Sequence, residues 1–420
     1  MSDEVSPATV LRAPAAEVPP VVDSAPALVE CAAALAAGEG PIAVDAERAG
    51  SYRYTQRAYL LQFHRRGAGT WLVDPIAIAD WAPLAEVLTG PEWVLHAASQ
   101  DLPGLAEVGL APASLFDTEL AGRLLNLDRV GLSAMTEQFL GVALAKSHSA
   151  ADWSRRPLPD AWLTYAALDV ELLLELRDHL VAELAEAGRL DWAEQEFEFV
   201  RNTPPAGPQP GRWRRVKGLK ARSPRALAVA RELWRARDDL ARAMDRTPSK
   251  ILPDPVIAAA AAKPPTTYVE MMALPGMDKQ PADRRGRWWA AIERALALPG
   301  ADLPPGREPS DEPPNPRSWD RISPALAIRY EQVRTALTEH CENLAIPREN
   351  LVAPRVVRDV VWRLGGGTEP VVEPADVAVV ARELAAAGAR PWQIELVAEV
   401  IAQGLVVAAQ APVEAKPTDE

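Results

Sequence analysis

Two carboxylates stand at the end of an apolar stretch, Ile42-Ala43-Val44-Asp45-Ala46-Glu47. The apolar run predicts a β-strand, and side chains two residues apart on a strand share a face, so Asp45 and Glu47 should point the same way. Paired carboxylates repel each other where water is scarce, and a divalent cation with oxygen ligands removes that penalty. Acids are also common at exposed strand ends, so a metal site here requires further acidic partners in the chain.

A third carboxylate follows a strand predicted at residues 92–96. The segment Ala97-Ala98-Ser99-Gln100-Asp101 comes directly after it, and Ser99 is predicted to be an N-cap, which places Asp101 in the first turn of a helix. Acids favour that turn because of the helix macrodipole, so Asp101 alone does not indicate a site. The functional interpretation is a third carboxylate at the end of a strand that neighbours the first.

A tyrosine and a fourth carboxylate lie within a long helix predicted inside residues 157–188. Tyr165 and Asp169 are four residues apart, so they share a helix face. Such a pair is commonly only part of a helix surface. It equally suits a cleft that uses a phenol and a carboxylate.

A second acid pair, in Phe116-Asp117-Thr118-Glu119-Leu120, has a different interpretation. The apolar spacing that follows is helical, and residues two apart on a helix do not share a face. Asp117 is therefore predicted to be a helix cap or first-turn acid, and Glu119 is left out of the site.

The elements that must position these residues form an α/β domain. Three antiparallel strands followed by a helix-linked strand predict a mixed sheet with helices on its faces. The predicted strands are 42–47, 58–63, 70–74 and 92–96, and the predicted helices are 25–37, 76–88 and the one within 157–188.

Four motifs together resemble ribonuclease D, the DEDDy branch of the 3′-to-5′ exonucleases, over roughly residues 26–200. The resemblance implies a ribonuclease-H-like fold. The family's first motif often reads Asp-Thr-Glu-Phe, whereas Ala46 and Arg48 replace the threonine and the aromatic residue here; both carboxylates are intact. The motifs are Val44-Asp45-Ala46-Glu47, His96-Ala97-Ala98-Ser99-Gln100-Asp101-Leu102, Asp152-Trp153-Ser154-Arg155-Arg156-Pro157-Leu158 and Tyr165-Ala166-Ala167-Leu168-Asp169.

The resemblance implies a site that holds two divalent cations, Mg²⁺ or Mn²⁺, for phosphodiester hydrolysis. Tyr165 would orient the attacking water, and Lys146 and Arg156, near the third motif, would contact phosphates. No role is assigned to His96 or His148. The implied metal ligands are Asp45, Glu47, Asp101 and Asp169.

The C-terminal half reads as entirely helical and resembles two HRDC modules. The first is predicted to bind RNA through basic residues at its start, and the second to pack or orient. Ser323-Pro324 echoes Ser223-Pro224 at an offset of about one hundred residues, which indicates an internal repeat. The substrate-binding candidates are Arg214, Arg215, Lys217 and Lys220. The predicted segments are a disordered tail 1–24, exonuclease domain 25–202, linker 203–211, HRDC domain 212–300, proline-rich linker 301–317, HRDC-like domain 318–410 and tail 411–420.

Charge and composition limit the possible functions. The 420 residues carry a formal net charge of −13, yet residues 212–246 contain twelve basic and four acidic residues. Such local charge attracts phosphate despite an acidic total. With 2 cysteines, no visible secretory signal and no membrane-spanning stretch, the sequence predicts a cytoplasmic monomer without a membrane partner.

The motifs and modules together predict a metal-dependent 3′-to-5′ exoribonuclease that trims structured RNA such as tRNA precursors. One alternative is the same chemistry on DNA, because nothing in the sequence visibly reads the 2′-hydroxyl. Another is a non-catalytic nucleic-acid-binding adaptor, which the four acids and Tyr165 argue against. A helicase is excluded because no G-x-x-x-x-G-K-[ST] phosphate loop is present.

Overall fold

A mixed six-stranded sheet forms the centre of the N-terminal half, as predicted. The computed structural model describes residues 9–144, 148, 150–204, 210–221, 223–307, 312–367 and 376–410. The strands are β1 Thr9–Leu11, β2 Val21–Val22, β3 Glu39–Arg48, β4 Ala58–Arg66, β5 Gly69–Val73, β6 Trp93–Leu95, β7 Leu115–Asp117 and β8 Val142–Leu144.

The strand that carries the first acid pair lies inside this sheet. The strand order is β2-β5-β4-β3-β6-β7, with β3 antiparallel to β4 and parallel to β6. Because β3 is hydrogen-bonded on both sides, its side chains are held on fixed faces of the sheet. One face packs on a core shared with the flanking helices, to which Val44 and Phe63 contribute.

The prediction of a disordered tail through residue 24 is wrong for residues 9–24. Strand β1 pairs in parallel with β8, and Val21 and Val22 pair in parallel with Leu72 and Val73 of β5. These segments are too short to show a hydrophobic period in the sequence. They become strands because they pair with β8 and β5, which are distant in the chain. Residues 1–8 lie outside the described part of the chain.

The helices of this half differ from prediction in two places. The helix expected from residue 76 begins at Ala82, because Asp74 and Asp80 accept hydrogen bonds from the backbone N–H groups of Ile76 (2.9 Å) and Ala82 (3.0 Å), which favours turns. The long helix within 157–188 is divided at Leu172. The helices are α1 Ala25–Ala37, α2 Ala82–Leu88, α3 Leu102–Glu107, α4 Thr118–Leu124, α5 Leu132–Leu140, α6 Asp160–Glu171, α7 Leu173–Glu186 and α8 Leu190–Asn202.

Two helical modules follow, and their correspondence confirms the internal repeat. Ser223 and Ser323 both cap long helices, where their hydroxyls accept hydrogen bonds from the third following N–H. The first module contains α9 Pro224–Ala243, α10 Pro248–Ile251, α11 Asp254–Ala262, α12 Tyr268–Met272 and α13 Ala282–Ala297; the second contains α14 Trp319–Ile322, α15 Pro324–Leu344, α16 Arg348–Leu351, α17 Pro354–Leu364, α18 Val377–Ala386 and α19 Pro391–Gln410. Short 3₁₀ turns occur at Ala98–Gln100, Pro210–Arg215, Gly300–Asp302 and Pro316–Ser318.

The second module packs against helix α8 of the N-terminal half. The rings of Trp192 and Trp392 stack with centroids 5.0 Å apart. Arg390 makes a bidentate ion pair with Glu196 at 2.6 and 2.8 Å, and Trp392 Nε1 donates to the same carboxylate at 2.8 Å. This fits the expectation that the second module packs or orients. Among the described helices, none combines the length and apolar character needed to cross a membrane.

Candidate active site

Three of the four predicted ligands meet on one face of the sheet. Asp45 and Glu47 project from β3, and α6, which carries Tyr165 and Asp169, packs across β3, β4 and β5. The carboxylate oxygens of Asp45, Glu47 and Asp169 lie within 4.8 Å of one another. The strand period of two and the helix period of 3.6 therefore bring these residues together as the spacing suggested.

The fourth acid, Asp101, lies beside this trio and lines the same cleft of about 690 Å³. The predicted N-cap at Ser99 is wrong. Ser99 lies inside the 3₁₀ turn Ala98–Gln100, and Asp101 itself is the residue that precedes α3. The buried Asp101 carboxyl therefore lies between the 3₁₀ turn and α3, and not within a regular helix.

A residue set aside at the sequence level positions that turn. Asp117 caps α4, as predicted, by accepting a hydrogen bond from Glu119 N at 2.9 Å. Its carboxylate also accepts from the N–H groups of Ala97 (3.0 Å) and Ala98 (2.8 Å). Ala97 is held at φ +60°, a conformation that costs energy for an L-residue. The signal for this role was the position of Asp117 at the end of strand β7. Strand β7 pairs in parallel with β6, the strand that precedes Asp101, so Asp117 lies at the same edge of the sheet as that turn.

Burial and mutual repulsion raise the pKa values of the four acids. Burial first, then the charges of Asp45, Asp169 and Asp101, raise the pKa of Glu47 to about 10. Burial raises the pKa of Asp45 to about 6, and burial with the Asp45 charge raises the pKa values of Asp101 and Asp169 well above their usual range. An all-oxygen set of mutually repelling carboxylates suits a hard divalent cation such as Mg²⁺ or Mn²⁺.

A buried amide next to the acids also fits an added polar group. Gln62 of β4 pairs across the strands with Asp45, so the two side chains share a face. The Gln62 side chain is fully buried, and neither amide atom has a hydrogen-bond partner among the described residues. Such orphaned groups are rare in protein interiors, and a hydrated cation close by would provide partners.

Tyr165 is fixed in its protonated form. Burial, followed by the Asp169 and Glu47 charges, raises the pKa of its phenol above the ordinary value. Its ring lies against His148 and Trp153, with centroids 6.0 and 6.4 Å apart. The hydroxyl donates a hydrogen bond to the Asp169 carboxylate, and Tyr165 lines the cleft.

The structure does not support the phosphate-binding prediction for Arg156. A guanidinium has five N–H donors. Here all are used, in a bidentate pair with Asp74 (2.6 and 2.6 Å) and in bonds to the carbonyl oxygens of Tyr59, Trp153 and Arg155. Arg156 joins its loop to the sheet, and no donor remains for RNA. Lys146, the other predicted contact, lies outside the described residues.

The basic residues of the first helical module divide into two groups. Arg214 stacks over Trp213 and donates to Pro305 O at 2.8 Å, so it stabilises its own module. Arg215 is exposed and lines a cleft of about 890 Å³ between this module and the β3–β4 loop, together with Arg53 and Arg212. Lys217 and Lys220 are exposed.

His96, to which no role was assigned, should make the free energy of unfolding depend on pH. Burial lowers the pKa of its imidazole to about 4, and Nδ1 lies 2.9 Å from Thr118 Oγ1. The unfolded chain, with a pKa near 6.5, then binds more protons, so stability falls as pH drops from about 6.5 through 4. We expect His96→Gln to remove about 2 kcal/mol of that loss. Urea unfolding of both proteins at pH 7 and pH 4 measures it; parallel pH profiles would contradict the assignment.

Comparison with known proteins agrees with this geometry. Profiles of protein families match residues 20–185, described as 3′-5′ exonuclease, residues 226–292, described as HRDC domain, and residues 312–405, described as 3′ to 5′ exonuclease C-terminal domain. A crystal structure of a protein from Bifidobacterium adolescentis is 36% identical, with a TM-score of 0.86 over 95% of this chain and 100% of that one.

Two similar proteins carry the same name. Ribonuclease D of Pseudomonas paraeruginosa is 32% identical over 275 residues, which cover 64% of this chain and 72% of that protein. The structure of Escherichia coli RNase D, described as an exoribonuclease involved in structured RNA processing, is 25% identical, with a TM-score of 0.66 over 88% of this chain and 98% of that one.

The sheet, the acidic cleft and the matching exonuclease profile define a 3′-to-5′ exonuclease. The chain belongs to the ribonuclease D family, and it is a 3′-to-5′ exoribonuclease. The alternative of a non-catalytic adaptor is therefore wrong.

Proposed function

We propose that this exoribonuclease trims the 3′ ends of structured RNA, such as tRNA precursors, with two divalent cations, Mg²⁺ or Mn²⁺, held by its carboxylates. The observation that carries the proposal is the convergence of Asp45, Glu47 and Asp169 within 4.8 Å in a cleft also lined by Asp101 and Tyr165. The likeness to E. coli RNase D, whose description names structured RNA processing, supports the substrate class.

In the proposed reaction the chain's residues hold and orient the reactants. When bound, the cations would stabilise the negative charge on the attacking and leaving oxygens. Asp45, Glu47 and Asp169 would hold the ions through their carboxylate oxygens, and Asp101, which lines the same cleft, would add a fourth carboxylate. Tyr165, whose hydroxyl is hydrogen-bonded to Asp169, would orient the attacking water towards the phosphorus.

The body of the RNA would lie towards the first helical module. Arg53, Arg212 and Arg215 line the cleft between this module and the exonuclease domain, and Arg212 and Arg215 have no ion pair with the described residues. The junction is fixed, because Tyr54 Oη donates to Asp238 at 3.0 Å and the Lys250 ammonium lies 3.8 Å from the ring centre of Tyr52. A fixed basic cleft suits a duplex backbone read by its phosphates. Lys217 and Lys220 would extend the basic surface.

We also propose domain boundaries at 202, 211, 300, 317 and 410, and a cytoplasmic monomer. The helix ends at Asn202 and Ala297 support the divisions near 202 and 300. Analytical ultracentrifugation tests the oligomeric state; a sedimentation coefficient that rises with concentration would contradict a monomer.

The test of the proposal is degradation of a 5′-labelled tRNA precursor with a 3′ trailer. Matched substrates are the trailer alone as RNA and as DNA, each with Mg²⁺, Mn²⁺ or EDTA. We expect a ladder that shortens from the 3′ end of the precursor, stops near the acceptor stem and is abolished by EDTA. Preference for the DNA strand, or precursor cleavage that persists in EDTA, would overturn the proposal.

A further inference from the structure

Arg48 follows directly after the acid pair and occupies the cleft. In a regular strand, residue 48 would face away from Glu47. The pairing of β3 with β4 shifts between them, since Glu47 pairs with Leu60 and Arg48 with Ala58. The extra residue of this bulge, Tyr59, lies on β4, so the regular pairing of the two strands is interrupted at Arg48. Arg48 lines the same cleft as Asp45 and Glu47.

The guanidinium of Arg48 is nearly uncommitted. Its charged contact is with Asp101, at 3.8 Å between Nη2 and Oδ1, and it makes no hydrogen bond to the described residues. Its side chain is 30% exposed, so it is reachable from the cleft. The contrast with Arg156 is clear, because every N–H donor of Arg156 already has an acceptor.

The charge balance of the cleft favours a contact between Arg48 and a phosphate of the RNA. Two divalent cations would neutralise four ionised carboxylates, which leaves the negative charge of the RNA phosphate without a balancing charge. A cation on Asp101 would also repel the guanidinium from that carboxylate. The planar fork of arginine matches the non-bridging oxygens of a phosphate.

We propose that Arg48 binds the phosphate of the last internucleotide linkage of the RNA, and so places the 3′ end against the carboxylates. The inference rests on the proposed function for the identity of the ligand. It assigns to Arg48 the phosphate contact that the third motif suggested for Arg156.

The test is metal-free equilibrium binding of a 5′-fluorescein 12-nucleotide RNA in EDTA, followed by fluorescence anisotropy. We expect Arg48→Gln to raise the Kd about tenfold and Arg48→Lys about threefold. The plot of log binding constant against log salt should become less steep by about 0.7 for Arg48→Gln. Arg321→Gln is the matched control, since Arg321 is exposed in the second module, and its Kd should not change.

A methylphosphonate at the last linkage, which has no charge, separates phosphate contact from support of Asp101. Wild type and Arg48→Gln should bind this RNA with the same Kd. If Arg48→Gln weakens both RNAs equally, or weakens neither, the inference is overturned. Because no cleavage occurs in EDTA, these outcomes are independent of the tRNA-precursor assay, whose failure would instead overturn the proposed function. Thermal unfolding of each variant confirms that it is folded.

Discussion

Asp45→Asn is expected to lower kcat/KM for 3′-end removal by about 10³-fold or more, which corresponds to about 4 kcal/mol of transition-state stabilisation. Asp45 is central to the cluster, within 4.8 Å of the oxygens of Glu47 and Asp169, and it raises the pKa of both. An amide keeps the shape but removes a charge that a cation needs. The measurement is single-turnover shortening of 5′-labelled RNA in Mg²⁺.

The same substitution should stabilise the metal-free protein. In EDTA at pH 8, Asp45, with a pKa of about 6, carries the charge that raises the pKa values of its buried neighbours, and removing that charge relieves the repulsion, so the urea midpoint should rise. Asp128→Asn is the control, because Asp128 is exposed and outside the cleft; it should change neither activity nor stability. An Asp45→Asn protein that is active like wild type would exclude Asp45 from the reaction. If the Asp45→Asn protein is both inactive and unfolded, the same assay on Asp169→Asn decides whether the carboxylates take part in the reaction.

Glu196→Ala is expected to cost about 3–5 kcal/mol in the free energy of unfolding. Glu196 is 8% exposed, and its carboxylate accepts from Arg390 at two positions and from Trp392 Nε1. Its loss leaves a guanidinium and an indole N–H without an acceptor between α8 and the second module. We expect the second module to separate at a lower urea concentration than the exonuclease domain unfolds.

Glu198→Ala provides the matched comparison on the same helix. Glu198 pairs with Arg201 at the surface, where its side chain is 57% exposed, and surface pairs contribute less than about 1 kcal/mol. Tryptophan fluorescence reports the docked state, since the Trp192 and Trp392 rings stack. If both variants unfold at the same urea concentration, Glu196 does not hold the modules together.

The parts of the site that follow a regular period could be predicted from sequence. Asp45 and Glu47 share a strand face, and Tyr165 and Asp169 share a helix face, so the structure needed only to bring two elements together. The offset of one hundred residues between Ser223 and Ser323 similarly predicted the repeat, because both serines cap equivalent helices.

Contacts between distant segments could not be predicted. Nothing in the sequence near Arg156 shows that Arg156 forms an ion pair with Asp74. Nor does the sequence show that Asp117 accepts hydrogen bonds from the turn before Asp101. The register shift between β3 and β4 next to Arg48, which lines the cleft, depends on how the two strands pair. The edge strands at Thr9–Leu11 and Val21–Val22 depend on partners more than fifty residues away. Each of these features depends on tertiary contacts, which local sequence propensity does not predict.

The most direct test of the metal site is anomalous diffraction from crystals of the wild-type protein soaked in Mn²⁺ with a nucleoside 5′-monophosphate. We expect Mn²⁺ peaks ligated by Asp45, Glu47 and Asp169, with Asp101 facing a second ion and the Arg48 guanidinium against the phosphate. Crystals that bind Mn²⁺ elsewhere and leave these carboxylates without an ion, from protein that degrades RNA in the same Mn²⁺ buffer, would contradict it.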